Sequence, residues 1–597
     1  MTEHFHFSPR PNRAHEIRWQ PWGRQAFAQA QAEDKPILLS LSAVWCHWCH
    51  VMDETTYSSP AVIAAINAQF VPIRVDNDRR PDINARYNMG GWPTTAFLMP
   101  GGETITGATY VPPQQMEPLL ERVAAFYHEN KAQILERVAG EQPRRLERAA
   151  ESSTLDQHIG DNVMQAIIDL YDSEYGGFGS APKFPMTDAL ELLLDRWLRT
   201  RDARLGEMLE RTLDAMADGG MYDHVEGGWF RYSTDRQWRV PHFEKMAEDH
   251  AALLRVYARY ARATGDTHLR ERVAAAICWL MSALYDPESG LFGGSQDADE
   301  AYYAKPLAER QAMRAPYIDR TPYTNWNAGL AGALFEVGPL LDDETLTERG
   351  VRALDVLWEQ TRDQGRGLLY HFIEPGGAPH AWGLLTDQVA MLRALLDAHA
   401  ATGASRMLER AELLADDTVR LLGAEEGGFF DRVPEGEALG ALSLADRPLA
   451  ENASMAGSLL RLAALADRPD LRETAERTLR LLAGGYLKAG TFAAPFALAA
   501  ARALAPTELV TIVARDAHEP VHELLDAAGA LRLREPFAEV RVLRAEGDGE
   551  RLARSGYPLP GEGSVAYVCL GTTCAAPARS AQEVDSAHRV LWAAERC

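Results

Sequence analysis

The chain has 597 residues, 46% of them hydrophobic and 24% charged, so it has the composition of a folded protein and is too long for one hydrophobic core. Its 85 acidic and 61 basic residues give a formal net charge of −24, which excludes the basic surface that nucleic acid binding requires. No stretch approaches the roughly 18 apolar residues of a membrane span, and the first residues contain no apolar signal segment. We therefore expect a cytoplasmic protein that has neither nucleic acid nor a membrane as its partner.

Residues 1–140 are predicted to alternate between strands and helices. Short apolar runs predict strands and longer periodic segments predict helices. The strands are predicted over 35–43, 70–76, 94–100 and 103–113, and the helices over 59–69 and 114–138. This alternation is typical of a small α/β domain.

Residues 150–505 are predicted to be almost entirely helical. The helices follow one another in pairs, over 188–200, 203–217, 247–264, 269–285, 328–341, 347–361, 385–402, 406–422, 453–466 and 471–487. Glycine-aromatic segments recur between the pairs, several of them roughly 60 residues apart. Glycine permits the turn after a helix, and the aromatic residue packs back against it. The period favours six long hairpins closed into an (α/α)6 toroid with a central cup, since open solenoid repeats are shorter.

Residues 506–597 differ in pattern from the helical region and predict a small α/β appendage. Strand-like runs at 508–516, 538–545 and 564–571 alternate with a helical segment at 519–530. Cys569 and Cys574 are spaced C-x4-C, which is too loose a pattern to indicate a function. The fold class is therefore multidomain, with an α/β domain, an all-α toroid and a small α/β domain in that order.

Residues 44–52, VWCHWCHVM, fit a haem attachment site, a zinc site or a redox pair by their spacing alone. Haem attachment needs an exported protein, and no export segment is visible. Zinc would use Cys46, Cys49, His47 and His50. If a helix starts here, these four side chains point in different directions around its axis. We therefore expect no cofactor, with zinc at the two cysteines as the remaining metal alternative.

The redox interpretation has more support from the flanking sequence. A strand that leads into W-C-x-x-C and then a helix is the thioredoxin arrangement, with Cys46 at the helix N-terminus, where a thiolate is favoured. Trp92 and Pro93 precede a predicted strand and would form the cis-proline loop opposite the cysteines. A protonated His47 would stabilise the thiolate further. We interpret His50 as a residue of the helix surface.

Residues 221–250 contain more polar side chains than packing requires, and loops on a rigid scaffold often carry binding groups. The catalytic candidates in this segment are Asp223, His224, His242 and Glu244. The binding candidates are Arg231, Tyr232, Trp238 and Asp249, and Glu226 adds a further carboxylate. Pro241 is predicted to begin the next helix, which would hold His242 at the helix start near the mouth of the cup.

A second set of candidates lies in the SQDAD segment or at the starts of later helices, on the same end of the toroid. These binding candidates are Asp297, Asp299, Trp326, Asp387, Glu451 and Asn452. Sugar chemistry needs carboxylates or imidazoles on both sides of the reacting carbon, and aromatic platforms for the ring. Structural alternatives remain for several candidates. Asp387 fits a helix N-cap, the two tryptophans fit the core, and Arg231 and Arg239 fit ion pairs with Glu244 or Asp223.

Five segments, 33–52, 79–113, 176–185, 219–246 and 295–300, resemble the spermatogenesis-associated thioredoxin-like family. The resemblance implies a thioredoxin-like domain followed by an (α/α)6 barrel similar to those of sugar epimerases and six-hairpin glycosidases. It also implies a small carbohydrate-like ligand for the barrel. The chain departs from the family pattern after SQDADE and between Tyr87 and Gly90, which indicates an altered pocket.

Two hypotheses follow from the sequence. In the first, the protein is an enzyme with thiol–disulfide chemistry at Cys46 and Cys49, a redox partner protein and a carbohydrate-type pocket in the barrel. In the second, it is a non-enzymatic redox-sensing adaptor whose barrel binds a metabolite or a protein.

Overall fold

The structure is a computed structural model that describes residues 5–147, 153–374, 376–434, 438–516 and 518–595. The predicted order of an α/β domain, a helical toroid and a small α/β domain is confirmed. None of the described helices combines the length and the hydrophobicity that crossing a membrane requires. The predicted start of the toroid, residue 150, lies outside the described residues.

The N-terminal domain consists of a sheet and the helices that cover it. Its elements are α1 (Arg24–Glu33), β1 (Ile37–Ser42), α2 (His47–Glu54), α3 (Pro60–Gln69), β2 (Val71–Asp76), α4 (Pro81–Tyr87), β3 (Thr94–Leu98), β4 (Thr104–Ala108) and α5 (Pro113–Glu147). The four predicted strands and both predicted helices are present. Helix α5 continues past the predicted domain boundary at residue 140.

The sheet order of this domain is β2-β1-β3-β4, with β2 parallel to β1 and with β3 and β4 antiparallel. All six residues of β1 are buried, because helices cover both faces of the sheet. Leu38 packs among residues of α3 and α5, whereas Leu39 packs with residues of α1 and α4. The central strand therefore leads from the core directly into the cysteine motif.

The middle of the chain consists of long helices joined by short strands and turns. Its elements are α6 (His158–Leu170), α7 (Thr187–Thr200), α8 (Ala203–Asp218), β5 (Tyr232–Ser233), β6 (Pro241–His242), β7 (Lys245–Met246), α9 (Ala247–Thr264), α10 (Thr267–Ala283), β8 (Tyr285–Asp286), β9 (Leu291–Phe292), β10 (Ser295–Gln296), α11 (Glu300–Tyr303), α12 (Leu307–Arg310), β11 (Ile318–Asp319), α13 (Thr324–Leu341), α14 (Glu344–Thr361), β12 (Tyr370–Ile373), β13 (Pro379–Trp382), α15 (Leu385–Thr402), α16 (Ser405–Leu422), α17 (Leu449–Ala466), α18 (Pro469–Ala483) and α19 (Ala494–Leu504).

Six helices of the described chain form a closed inner ring. Helices α7, α9, α13, α15, α17 and α19 contact one another in this order, and α19 returns to α7. Each inner helix packs against the outer helix that follows it, and α19 packs against α6. Helix α13 is apolar nearly all round because it is covered on both sides, whereas its outer partner α14 has one apolar face. This ring confirms the predicted toroid.

A polar side chain near the start of an inner helix fixes the preceding glycine-aromatic turn. The pairs are His250 with Trp229, Asn327 with Phe292, Gln388 with Leu369, and Asn452 with Phe429. Gly228 needs its positive φ of 86°, and a Cβ there would meet His250 Nε2 at 2.7 Å. The predicted role of glycine in these turns is therefore confirmed.

The C-terminal domain repeats the sheet topology of the N-terminal domain. Its elements are β14 (Glu508–Ala514), α20 (His522–Leu531), β15 (Glu539–Arg544), α21 (Gly549–Ser555), β16 (Val565–Leu570), β17 (Thr573–Cys574) and α22 (Ala581–Glu595). The order β15-β14-β16-β17 again has a parallel first pair and an antiparallel hairpin. Cys569 and Cys574 are bonded to each other across β16 and β17, so this pair lies on strands and not at a helix start.

The two α/β domains lie at opposite ends of the toroid. At one end, His371 Nε2 lies 2.7 Å from the backbone oxygen of Asp78 in the N-terminal domain, close to where α15 begins. At the other end, Arg544 Nη1 donates to the oxygen of Gly403, directly after α15 ends. Both ends of the central bore are therefore covered.

The asparagine that fixes the turn before α13 provides a test of this architecture. Asn327 is 1% exposed, accepts from Phe292 N at 2.7 Å and donates to Phe292 O at 2.9 Å. We expect Asn327→Ala to lower the unfolding free energy by about 1–3 kcal/mol, because both backbone groups lose their partner. Urea denaturation measures this loss. The partly exposed Asn130→Ala is the control, and equal stability of the two variants would contradict the role of Asn327 in the turn.

Candidate functional site

The predicted cysteine pair lies at the N-terminus of α2, directly after β1. Cys46 is the N-cap residue of α2, and its Sγ accepts a hydrogen bond from Cys49 N at 3.2 Å. The two cysteines are bonded to each other. Trp92 and Pro93 precede β3 and are joined by a cis peptide bond, as the thioredoxin pattern predicts. The N-terminal position of Cys46 favours a thiolate, since unpaired N–H groups and the helix dipole stabilise negative charge.

A guanidinium of the toroid covers the tryptophans beside these cysteines. Arg231 Cζ lies 4.1 Å from the ring centre of Trp45 and 5.1 Å from that of Trp92. The two indole rings meet edge to face at 5.7 Å. Cys46 and Cys49 are 4% and 1% exposed. The motif therefore lies against the toroid.

The prediction that Pro241 begins a helix is wrong. Pro241 and His242 form β6, which pairs with β5, and the next helix is α9. The hairpin stacks His242 on Tyr232 at 4.8 Å and places its ring 6.2 Å from that of His47. Both carboxylate oxygens of Glu244 lie 2.7 Å from His242 Nδ1, so Glu244 orients the imidazole. Burial raises the pKa of Tyr232 to about 12.

His50 is buried, so its predicted place on the helix surface is wrong. Its Nε2 lies 3.0 Å from Val44 O, and its Nδ1 lies 3.5 Å from Asp297 Oδ2. Burial lowers the pKa of His50 to about 3 and raises the pKa of Asp297 to about 8. Both groups are therefore neutral at pH 7. Asp299 instead caps α11 by accepting from Tyr302 N.

The four side chains that zinc would need point to different surroundings. His47 lies beside His242, whereas His50 lies against Val44 and Asp297. Over the described residues, no group of three or more histidine, cysteine, aspartate or glutamate side chains is placed to hold a metal ion.

The structure places Asp223 in a buried ionic cluster. Its Oδ2 accepts from Lys245 Nζ and from Arg310 Nη1, both at 2.7 Å. Asp223 is therefore paired with Lys245 and Arg310. Of the two arginines predicted to pair with Glu244 or Asp223, Arg239 lies 3.7 Å from Asp235, and Arg231 donates its backbone N–H to Glu244 O. Arg310 also bonds Glu226 at 2.9 Å.

His224 and Trp238 lie in the segment between α8 and α9, and each contacts a backbone oxygen of a loop. His224 is exposed, and its Nε2 lies 3.0 Å from Gly219 O. Trp238 is fully buried and donates to Gly176 O at 3.3 Å, as its core alternative predicts.

A cavity of about 310 Å³ lies between the N-terminal domain and the mouth of the toroid. Trp45, Trp92 and Arg231 form part of its wall on the side of the cysteines. Trp326 and Glu451 line it from the starts of inner helices. Sequence analysis therefore selected residues from distant segments that the fold brings to one cavity.

Sequence analysis missed Glu248, the second residue of α9, which lines the same cavity. The pKa of Glu248 and of Glu451 is raised because the walls of the bore partly desolvate both carboxylates, and desolvation brings the pKa of the neighbouring Asp249 to about 7. The Oδ2 of Asp249 is buried without a hydrogen-bond partner in the described structure. Carboxyl groups that titrate near neutrality are suited to proton transfer. By contrast, Asn452 is tied to the turn at Phe429.

Asp387 is not an N-cap but part of a buried hydrogen-bonded chain that reaches the cysteine motif. Its Oδ1 lies 2.9 Å from His371 Nδ1, and His371 Nε2 lies 2.7 Å from Asp78 O. Asp78 Oδ2 in turn accepts from Trp45 Nε1 at 2.6 Å. Asp387 raises the pKa of His371 despite its burial. No local pattern marks His371 or Asp78, because their pairing depends on the domain contact.

A second cavity of about 270 Å³ continues along the axis of the toroid. It shares Glu248, Trp326 and Glu451 with the first, so the two form one bore.

Parts of the chain are similar to a protein family and to known proteins. Residues 10–143 match the family Thioredox_DsbH, described as a protein of unknown function, DUF255. The chain is 28% identical to spermatogenesis-associated protein 20 of Homo sapiens over 541 residues, which cover 69% of each chain. The predicted resemblance is confirmed.

Two further matches differ in extent. Spermatogenesis-associated protein 20 of Mus musculus is 35% identical over 333 residues, which cover 50% of this chain and only 42% of the mouse protein. Among solved structures, cellobiose 2-epimerase of Bacillus thermoamylovorans aligns with a TM-score of 0.45 and 13% identity. That alignment covers 54% of this chain and 85% of the epimerase.

The raised pKa of Asp297 predicts a pH dependence of stability. The folded protein keeps this proton up to about pH 8, whereas the unfolded chain loses it near 3.8. The unfolding free energy therefore falls as the pH rises through this window, by at most about 1.4 kcal/mol per pH unit. We expect Asp297→Asn to melt progressively higher than the wild type from pH 5 to pH 8.

Melting temperatures at each pH measure this difference. Asp161→Asn, at an exposed position of α6, is the control. A constant difference between Asp297→Asn and the wild type across the range would contradict the assignment.

Proposed function

We propose that this protein performs thiol–disulfide exchange at Cys46 and Cys49 on a small molecule that enters the bore of the toroid. One observation carries the proposal. Trp45, His47 and His50, which flank the cysteines, are each contacted by a side chain of the toroid. These contacts support a reaction at the face of the thioredoxin-like domain that packs on the toroid.

The chemistry requires only the two cysteines and a dithiol reductant. The Cys46 thiolate attacks one sulfur of a disulfide, forms a mixed disulfide with it and releases the other half as a thiolate, which takes up a proton. The Cys49 thiolate then attacks Cys46 Sγ and releases the second half. The molecule gains two electrons, and the cysteine pair is left oxidised. A dithiol reductant, the class of the predicted redox partner protein, restores the pair.

The position of Arg231 favours a small substrate over a protein. Its guanidinium lies over Trp45 and over Trp92, next to the proline loop along which an extended polypeptide would lie. A folded protein would have to displace this contact to reach Cys46, whereas a small molecule in the bore would not.

We expect the protein to catalyse reduction of hydroxyethyl disulfide by dithiothreitol at least about tenfold faster than reduction of insulin at equal disulfide concentration, since Arg231 blocks a protein substrate. Cys46→Ser should abolish both activities. Cys278→Ser, which removes the exposed cysteine of α10, is the matched control and should keep them. Faster turnover of insulin than of the small disulfide would contradict the small-molecule proposal.

A second candidate function is binding or conversion of a carbohydrate in the same bore. It is favoured by Trp326, which supplies an aromatic surface, and by Glu248 and Glu451, whose carboxyl pKa values are raised. A carboxyl group with a raised pKa is suited to general acid–base catalysis, and an aromatic ring can bind the apolar face of a sugar. The oriented His242–Glu244 pair adds an imidazole near this mouth.

Thermal-shift measurements with monosaccharides and disaccharides test this candidate. We expect a stabilising sugar to lose its effect in Trp326→Ala and in Glu248→Gln, because both residues line the cavity. Glu359→Gln, on the exposed side of α14, should retain it. If no sugar stabilises the wild type and no disulfide is turned over, the adaptor hypothesis replaces both functions.

A further inference from the structure

The bore ends in a third cavity of about 110 Å³, between the inner helices and the C-terminal domain. This volume is several times the roughly 10–15 Å³ that one water molecule needs. The cavity shares Asp188, Glu191, Arg255 and Arg393 with the cavity above it, so it is the lower end of the same bore.

Arginines are concentrated at this lower end, in a chain whose formal net charge is −24. Six of them line it, namely Arg255, Arg259, Arg393, Arg461, Arg502 and Arg532. Five carboxylates share the lining, namely Asp188, Glu191, Asp195, Glu336 and Asp397. The arginines come from four inner helices and from the end of α20, so the tertiary fold assembles the cluster.

The ion pairs of the cluster leave some guanidinium donors unused. Arg461 bonds Asp397 at 2.8 Å and Glu539 at 3.0 Å, and Arg255 bonds Asp397 at 2.8 Å. Arg461 is only 6% exposed, yet its Nη2 has no partner among the described residues. The Nε of Arg532 is likewise buried without a partner in the described part of the chain. Buried donors of this kind normally have an acceptor.

Counting Glu539, six carboxylates face the six arginines, but burial affects the individual arginines unequally. Burial, with Arg461 and Arg532 nearby, lowers the pKa of Arg502 to about 10, although Glu539 opposes this. Burial and Arg393 also lower the pKa of Arg255. Glu539 and Asp397 do raise the pKa of Arg461 above its usual value despite its burial. The neighbouring carboxylates therefore outweigh the effect of burial on the pKa of Arg461 but not on that of Arg255 or Arg502.

We propose that the closed end of the bore binds an oxyanion group, a phosphate or a carboxylate, of a small molecule. Guanidinium groups match the planar or tetrahedral oxygens of such groups with paired hydrogen bonds. The bound oxyanion accepts from the unused donors of Arg461 and Arg532. The rest of the molecule extends toward Trp326 and the mouth. This site does not depend on the reactivity of the cysteines. If the proposed function holds, it defines the substrate as an anionic small molecule.

Calorimetric titration of the full chain with inorganic phosphate, and separately with acetate, tests the proposal against sodium chloride at equal ionic strength. We expect saturable binding of at least one oxyanion, and a dissociation constant at least about tenfold higher for Arg532→Gln. The anion that binds, phosphate or acetate, shows whether the site prefers a phosphate or a carboxylate group. Arg468→Gln, outside the bore, is the control and should bind as the wild type does.

If Arg532→Gln does not fold, Arg259→Gln removes a different guanidinium from the same lining. Cys46→Ser should bind the oxyanion unchanged, which separates this site from the proposed exchange reaction. No saturable binding of either oxyanion would overturn the proposal. Equal affinity in the wild type and the lining variants would also overturn it.

Discussion

The contact of Arg231 with Trp45 and Trp92 fixes the relation between the two parts of the molecule on which any function depends. A guanidinium from the toroid lies over the two indole rings that flank the cysteine pair and the proline loop. Trp45 is buried, whereas Arg231 and Trp92 are partly buried and line the cavity at the mouth of the toroid. The contact places the segment that carries the buried cysteines against the toroid, beside the mouth of the bore.

The toroid in turn needs covered ends. Helix α13 is apolar nearly all round, whereas charged residues of α7, α9 and α15 line the bore. Two α/β domains of the same sheet topology close the bore from opposite ends, one with a cysteine pair at a helix start and one with a disulfide on its strands. The molecule is thus a chamber, with carboxylates and Arg231 near the cysteine end and a cluster of arginines and carboxylates at the other.

Local patterns predicted the elements of this chamber well. The apolar period of 247–264 gave the bounds of α9, and the run at 35–43 contained β1, because both depend on neighbours in the sequence. The local errors at Pro241 and His50 have one physical cause. A proline fits a strand as well as a helix start, and a histidine on a short helix is exposed only if nothing packs over it. Here β5 pairs with the proline segment, and residues of the toroid cover the histidine.

The sequence by itself determined the order of the domains, the hairpin repeat and the place of the cysteine pair at the start of a helix. Each of these depends on spacing along the chain and on the intrinsic preferences of glycine, cysteine and apolar residues. Only the tertiary structure decided that Asp223 and Trp238 bond neighbouring segments and hold the loops in place. It also decided that Glu248 lines the cavity and that six arginines meet at one end of the bore. Those assignments depend on which distant helices become neighbours. Closure of the ring decides this, and no short stretch of the sequence records it.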